Sequence, residues 1–148
     1  MQSWPLVVVS AAIFRIEYSG QLLASGLCHC HDCRKLTGGP FSYVFIVKSA
    51  ELRVSGSPKE VAKVADSGND IKNYFCPDCG TPLFGQTINS SGEPEETTVV
   101  RAGIFDDMGI LNERKPEVEI YTDSRLKWIC PIEDALQFSG MLAAQQSD

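Results

Sequence analysis

Along this chain short apolar runs alternate with clusters of Gly, Pro, Ser, Asp and Asn, a rhythm that predicts strands. Phe41 to Lys48, FSYVFIVK, is rich in aromatic and β-branched residues and reads as a strand buried on both faces. Leu52 to Val54, Val61 to Ala65, Thr97 to Ile104 and Val118 to Thr122 repeat that character in shorter form. Within the apolar stretch Leu6 to Phe14, Val7 to Val9 followed by Ile13, Phe14 and Ile16 predicts one more buried strand. Turn signals separate the runs: SG at 19–20, TGGP at 37–40, SGSP at 55–58, DSGND at 66–70 and NSSGEPEE at 89–96. Only Ile132 to Ala144 has helical composition, with Pro131 at its start, Glu133 and Asp134 in its first turn, and Gly140 as an interruption. No repeat or low-complexity tract is present. The expectation is a mostly β, single-domain chain over 1–148 with a short C-terminal helix.

Length and composition narrow this without changing it. A chain of 148 residues holds one core comfortably, and 43% hydrophobic with 22% charged residues is ordinary for a globular protein. A formal net charge of -6 leaves no excess of cations to displace counterions, so nucleic acid is not an expected partner. Leu6 to Phe14 is too short to span a bilayer, and MQSWP lacks the basic segment of a secretory signal. We expect no membrane association and a cytoplasmic location.

A reducing compartment then has to accommodate six cysteines: Cys28, Cys30, Cys33, Cys76, Cys79 and Cys130. Three thiols within six residues cannot all pair with one another, and short-range bridges are strained, so metal ligation suits the spacing better. In an extended segment Cys28 and Cys30 share one face, with His29 and His31 on the other. A turn at Asp32 brings Cys33 beside the first two. The result is a three-thiolate claw suited to Zn²⁺. Its fourth position is either open to a substrate or closed by a histidine or Cys130, and spacing alone leaves both readings standing. His29 and His31 are expected to be supporting or packing residues rather than ligands. Arg34 and Lys35 follow directly; they either favour thiolates and contact a substrate anion, or form an exposed basic turn. A second motif, FCPDCGTPLF at 75–84, is a zinc-knuckle turn in which Cys76 and Cys79 supply half of a four-thiolate site.

With CHCHDCRKLTGGPF at 28–41, FCPDCGTPLF at 75–84, RAGIFDD at 101–107 and KPEVEIYTDSRLKWI at 115–129, the chain resembles the glutathione-dependent formaldehyde-activating enzyme and centromere protein V family over about 24–129. The resemblance implies a β-tent-like zinc fold of short antiparallel strands, with one zinc exposed to substrate and one structural. It implies a carbon–sulfur lyase that joins glutathione to formaldehyde, giving S-hydroxymethylglutathione. A thiol at the open zinc position is favoured as thiolate and attacks a small carbonyl compound held alongside. Asp106 or Asp107 is a candidate to protonate the resulting oxygen, although an Asp pair in a turn also serves as a backbone cap. The alternative function is a zinc-stapled protein-binding module without turnover. One departure stands out: the family begins with a C-x-C-G-A segment, and here Val8 and Ser10 align with its two cysteines. Cys76 and Cys79 thereby lack partners, so we expect one firmly bound zinc and a second bound weakly or not at all.

Overall fold

Strand β3, Ser42–Lys48, is the axis of the fold, and its two-residue alternation makes both of its faces. Tyr43, Phe45 and Val47 turn to one side, where Phe45 and Val47 are fully buried. Val44 and Ile46 turn to the other and are buried and half-buried respectively. The strand expected to be buried on both faces is fully buried at Phe45 and Val47 on the core side and partly buried on the other.

The structure is a computed structural model and describes residues 15–65 and 68–141. In chain order it contains β1 Arg15–Tyr18, β2 Ala24–Cys28, α1 His31–Thr37, β3, β4 Leu52–Ser55, β5 Lys59–Val64, β6 Asp70–Phe75 and β7 Pro82–Ile88. There follow β8 Pro94–Arg101, α2 Met108–Glu113, β9 Val118–Ile120 and β10 Leu136–Gln137. Among the described residues β1 and β4 form an antiparallel ribbon, and the other strands form one open sheet ordered β10-β9-β2-β3-β8-β7-β6-β5. The core lies against one face of this sheet. Phe45, Val47, Phe84 and Val100 meet Ile16 and Tyr18 of β1, Leu22, Phe105 and Ile110 of α2 there. Each such side chain contributes about 1.5–3 kcal/mol by leaving water. No helix among the described residues is long and apolar enough to cross a membrane.

The mostly β, single-domain expectation holds, with corrections in detail. The C-terminal helix is absent from the described part of Ile132–Ala144; residues 142–144 lie outside it. Glu133 and Asp134 make a turn with Asp134 at φ 66°, and Leu136–Gln137 pairs in parallel with Val118–Glu119. The physical reason is the open edge of β9. The carbonyls of Glu117, just before β9, and of Glu119 within it accept from the amides of Leu136 and Phe138 at 2.9 Å, and such a ladder outweighs a weak helical composition broken by Gly140. Pairing is also not uniformly antiparallel, because β9 runs parallel to both β2 and β10. The run Thr97–Ile104 divides into the end of β8 and a 3₁₀ turn at Ala102–Ile104, and β9 stops at Ile120 because Tyr121 is left-handed at φ 55°. Both short helices and strands β2, β6 and β7 were not anticipated. The expected N-terminal strand falls outside the described residues except for Ile16, as do Val8 and Ser10.

Candidate metal centre and adjoining cavity

Cys28 is the last residue of β2, Cys30 caps α1, and Cys33 sits one helical turn further on. Cys30 keeps an extended backbone while its sulfur accepts from the Cys33 amide at 3.3 Å, which starts the helix. Gly38 ends it at φ 70°, donating its amide to the Arg34 carbonyl at 2.8 Å. The turn expected at Asp32 is therefore the first turn of a helix, and it brings Cys33 back as required. All three sulfurs lie within 4.8 Å of one another. Zinc–sulfur bonds of about 2.3 Å place tetrahedral sulfurs about 3.8 Å apart, so this donor set fits zinc with little adjustment.

The thiols polarise one another. Cys30 is lowered to about 2 because the Cys28 and Cys33 thiols donate to it. Cys28 is pushed up by its hydrogen bonds to Cys30 and Cys33 and by burial. Cys33 is pulled down by Cys28 but pushed up further by its bond to Cys30, by burial and by the Cys30 charge, ending at about 11. Confining negative charge to one sulfur in this way is what a shared cation would relieve.

His29, between the first two cysteines, turns away from them and is fully buried. Its Nε2 meets Glu119 Oε1 at 2.7 Å and its ring packs edge-on to Phe41. Glu119, on β9, also accepts from the Ile132 amide and from Gln137 Nε2, each at 2.8 Å, and faces Arg125 at 3.3 Å. Burial alone would raise this carboxyl, but the bonds from Gln137, Ile132 and His29, with the Arg125 charge, hold it below its ordinary value. The network ties the cysteine loop to β9 and the C-terminal segment. His31 is exposed, so both histidines stand where supporting or surface residues would.

Beside the cysteines the sheet face opposite the core is hollow. A cavity of about 320 Å³ opens there, lined by Cys28, Cys30 and Cys33 at one end and by Val44, Ile46, Ile71 and Val99 across the floor. Register explains the hollow: Gly26 faces Val44, Ala24 faces Ile46, and Gly85 faces both Val99 and Asn73. A side chain at Gly85 would lie 2.6 Å from Asn73 Oδ1. Its absence lets Asn73 reach Arg101, whose Nη2 donates to Asn73 Oδ1 at 3.1 Å while Nη1 donates to Ser42 Oγ at 3.0 Å. Burial lowers the Arg101 pKa, and the charges of Cys33, Cys28 and Cys30 oppose that shift. Arg101 is thus a partly buried cation in electrostatic contact with the claw. Asp32, also at the cavity rim, pairs with Lys63 at 2.6 Å.

The remaining expected residues are placed elsewhere. Arg34 and Lys35 line a second cleft with Gly38, Gly39, Pro40, Leu126 and Trp128, and share none of the cavity's lining. Asp106 is exposed and is not part of the cavity wall; Asp107 caps α2, accepting from the Gly109 amide at 2.8 Å. Cys76 is buried in the core and Cys79 is exposed, its sulfur 3.0 Å from Thr81 Oγ1. Their turn is closed by Gly80 at φ 76°, whose amide donates to the Cys76 carbonyl at 2.8 Å. Cys130 is exposed and outside the three-sulfur group. Sequence reasoning missed Arg101, Asn73, Ser42 and Glu119. Arg101 lay within a quoted motif, but nothing local says that a strand-end arginine faces three cysteines from another strand and helix.

A mostly β sheet carrying a three-cysteine claw is what the resemblance implied, and the comparison with known families agrees. Residues 12–124 match the model described as glutathione-dependent formaldehyde-activating enzyme, and the chain belongs to that family. Curated relatives bear the name "Putative glutathione-dependent formaldehyde-activating enzyme". One from Sordaria macrospora is 31% identical over 72 residues, covering 49% of this chain and 30% of its own length. Another from Aspergillus flavus is 31% identical over 71 residues, covering 48% and 37%. A third from Phaeosphaeria nodorum is 32% identical over 74 residues, covering 50% and 38%. The match thus spans about a third of the length of these relatives. A crystal structure of a Rhodobacter sphaeroides protein is similar over 90% of this chain and 98% of its own, with TM-score 0.49 and 18% identity.

Proposed function

We propose that this protein adds a thiol to a small carbonyl compound, and catalyses the reverse carbon–sulfur cleavage, with glutathione and formaldehyde as the reactants its family name suggests. The observation that carries this reading is the three-sulfur claw at the end of a cavity. Cys28, Cys30 and Cys33 would hold zinc. When bound, zinc supplies a cationic site that favours the thiolate form of a thiol. In the addition the thiol sulfur bonds to the carbonyl carbon, the C=O π pair moves to oxygen, and the proton lost by sulfur is returned to that oxygen. No oxidant or reductant is needed.

Arg101 is the cation best suited to this need, because it lines the same cavity as the three cysteines and is held there by Ser42 and Asn73. Its guanidinium donates toward negative charge developing on the carbonyl oxygen while Ser42 and Asn73 hold its orientation. Asp106, set apart from the cavity, is not assigned the proton transfer. Arg34 and Lys35, which line the neighbouring cleft, would attract a carboxylate of glutathione. Cys76 and Cys79 are offered as half of a second, structural zinc site.

Exchange NMR on glutathione, formaldehyde and zinc-loaded protein tests the reaction. Faster interconversion than in buffer is expected, and an unchanged rate removes this substrate pair. Replacing zinc by cobalt tests the open position, since the visible spectrum should change on adding glutathione. An inert spectrum would favour a zinc-stapled binding module without turnover.

A further inference from the structure

Formaldehyde does not account for the cavity beside the claw. The space is about 320 Å³, near the lower end of pockets that take drug-sized ligands, whereas a two-heavy-atom aldehyde needs about twice a water's ~30 Å³. Nor does glutathione explain its chemistry. That tripeptide carries two carboxylates and an ammonium, but the floor presents Val44, Ile46, Ile71, Val99, Val118 and Ile120. Of the two cations on the wall, Lys63 is already paired with Asp32 at 2.6 Å. The other is Arg101, whose hydrogen-bond partners Ser42 and Asn73 are both neutral. Two glycines and an alanine on the same face keep the floor hollow where larger side chains would fill it. An apolar floor, one orienting cation and a thiol-binding claw together describe a carbonyl compound with an apolar body.

We infer that the carbonyl partner of this enzyme is an apolar aldehyde or ketone of roughly the size of a substituted benzene ring, its body on Val44, Ile46, Ile71 and Val99 and its carbonyl oxygen on Arg101. The inference rests on the thiol-addition reading for its chemistry, but its binding geometry is separately testable. Formation of the adduct is the same balanced step: the sulfur–carbon bond forms, the π pair goes to oxygen, and the thiol's proton follows it. An apolar body contributes by leaving water, so affinity grows with its size, while the guanidinium fixes which end faces the claw.

The test uses the zinc-loaded full chain with methyl-labelled valine and isoleucine, and an unreactive carbonyl probe, 4-isopropylbenzamide, against acetamide and against glutathione. Saturable shifts at Val44, Ile46, Ile71 and Val99 are expected with the aromatic amide, at least about tenfold tighter than with acetamide. Arg101→Gln should weaken the aromatic amide about tenfold with zinc content unchanged, and Arg101→Lys should recover part of that loss. Val99→Thr, which keeps the shape of the floor and adds a hydroxyl, should weaken it by roughly threefold without touching the claw. Unmoved methyls, equal affinity for acetamide, or glutathione displacing the aromatic amide from the floor would each overturn the inference. Accelerated glutathione–formaldehyde exchange without amide binding leaves the proposed function standing and sinks the apolar substrate. Amide binding without any thiol addition does the converse: the cavity assignment survives and the reaction falls.

Discussion

Each of the three claw cysteines owes its position to a different local device: the end of a strand, the cap of a helix and the first turn of that helix. They are not interchangeable structurally, yet they would be equivalent as zinc ligands, because losing any one leaves two thiolates. Cys28→Ser, Cys30→Ser and Cys33→Ser should therefore each reduce bound zinc from about one per chain to near zero, measured by metal analysis after gel filtration. Stoichiometric zinc in all three variants would rule out this ligand set. Glu119 makes a different prediction. Its carboxyl is depressed below the ordinary value of 4.5, so its contribution to stability is present above that value and is lost as pH falls through the folded value. Glu119→Gln should lower stability at neutral pH by roughly 1–3 kcal/mol, since the Ile132 amide, Gln137 and His29 lose a charged acceptor. Urea titrations at pH 7 and below pH 5 check both the loss and its sign: the variant's stability should fall less steeply with acid than the parent's.

At the scale of elements, the site depends on close approach between neighbouring strands. β7 contributes no side chain at Gly85, and that gap is where Asn73 of β6 reaches Arg101 of β8. Gly85→Ala should cost about 1–3 kcal/mol in urea titration and displace Asn73, while bound zinc stays unchanged because the claw lies on β2 and α1. If stability and the Asn73–Arg101 contact are both unaffected, the gap at Gly85 is not what lets Asn73 reach Arg101. Helix α1 shows the same economy. Its first turn brings Cys33 back to Cys28 and Cys30, and Gly38 stops the seven-residue helix in the left-handed region before the chain turns into β3. Its length explains why it escaped sequence reading, since two turns are too few for a 3.6-residue periodicity to register.

For the molecule as a whole, the prediction concerns a second metal site. Cys76 and Cys79 would supply two donors, and by the family resemblance Val8 and Ser10, both ahead of the matched residues 12–124, stand where two further cysteines would complete the set. The double change Val8→Cys, Ser10→Cys should raise bound zinc from about one to about two per chain and raise the melting temperature with it, because a structural zinc contributes folding free energy. Two zincs in the unaltered protein would show that Cys76 and Cys79 find other partners. Much of the rest was legible from residue order alone. Composition and run length determined the mostly β class, β3 as a strand, the turns at 37–40 and 55–58, and the three-cysteine cluster itself, because strand periodicity, turn chemistry and cysteine spacing are all written within a few residues. Tertiary structure decided the remainder. The C-terminal segment became a parallel edge strand because β9 offered it unpaired carbonyls, an interaction that no local propensity encodes. Arg101 reached the claw, Glu119 reached His29, and Gly26, Ala24 and Gly85 lined up into a cavity because strands distant in sequence pair in one particular register. Register places side chains from many strands on a common face, and only the assembled sheet specifies it.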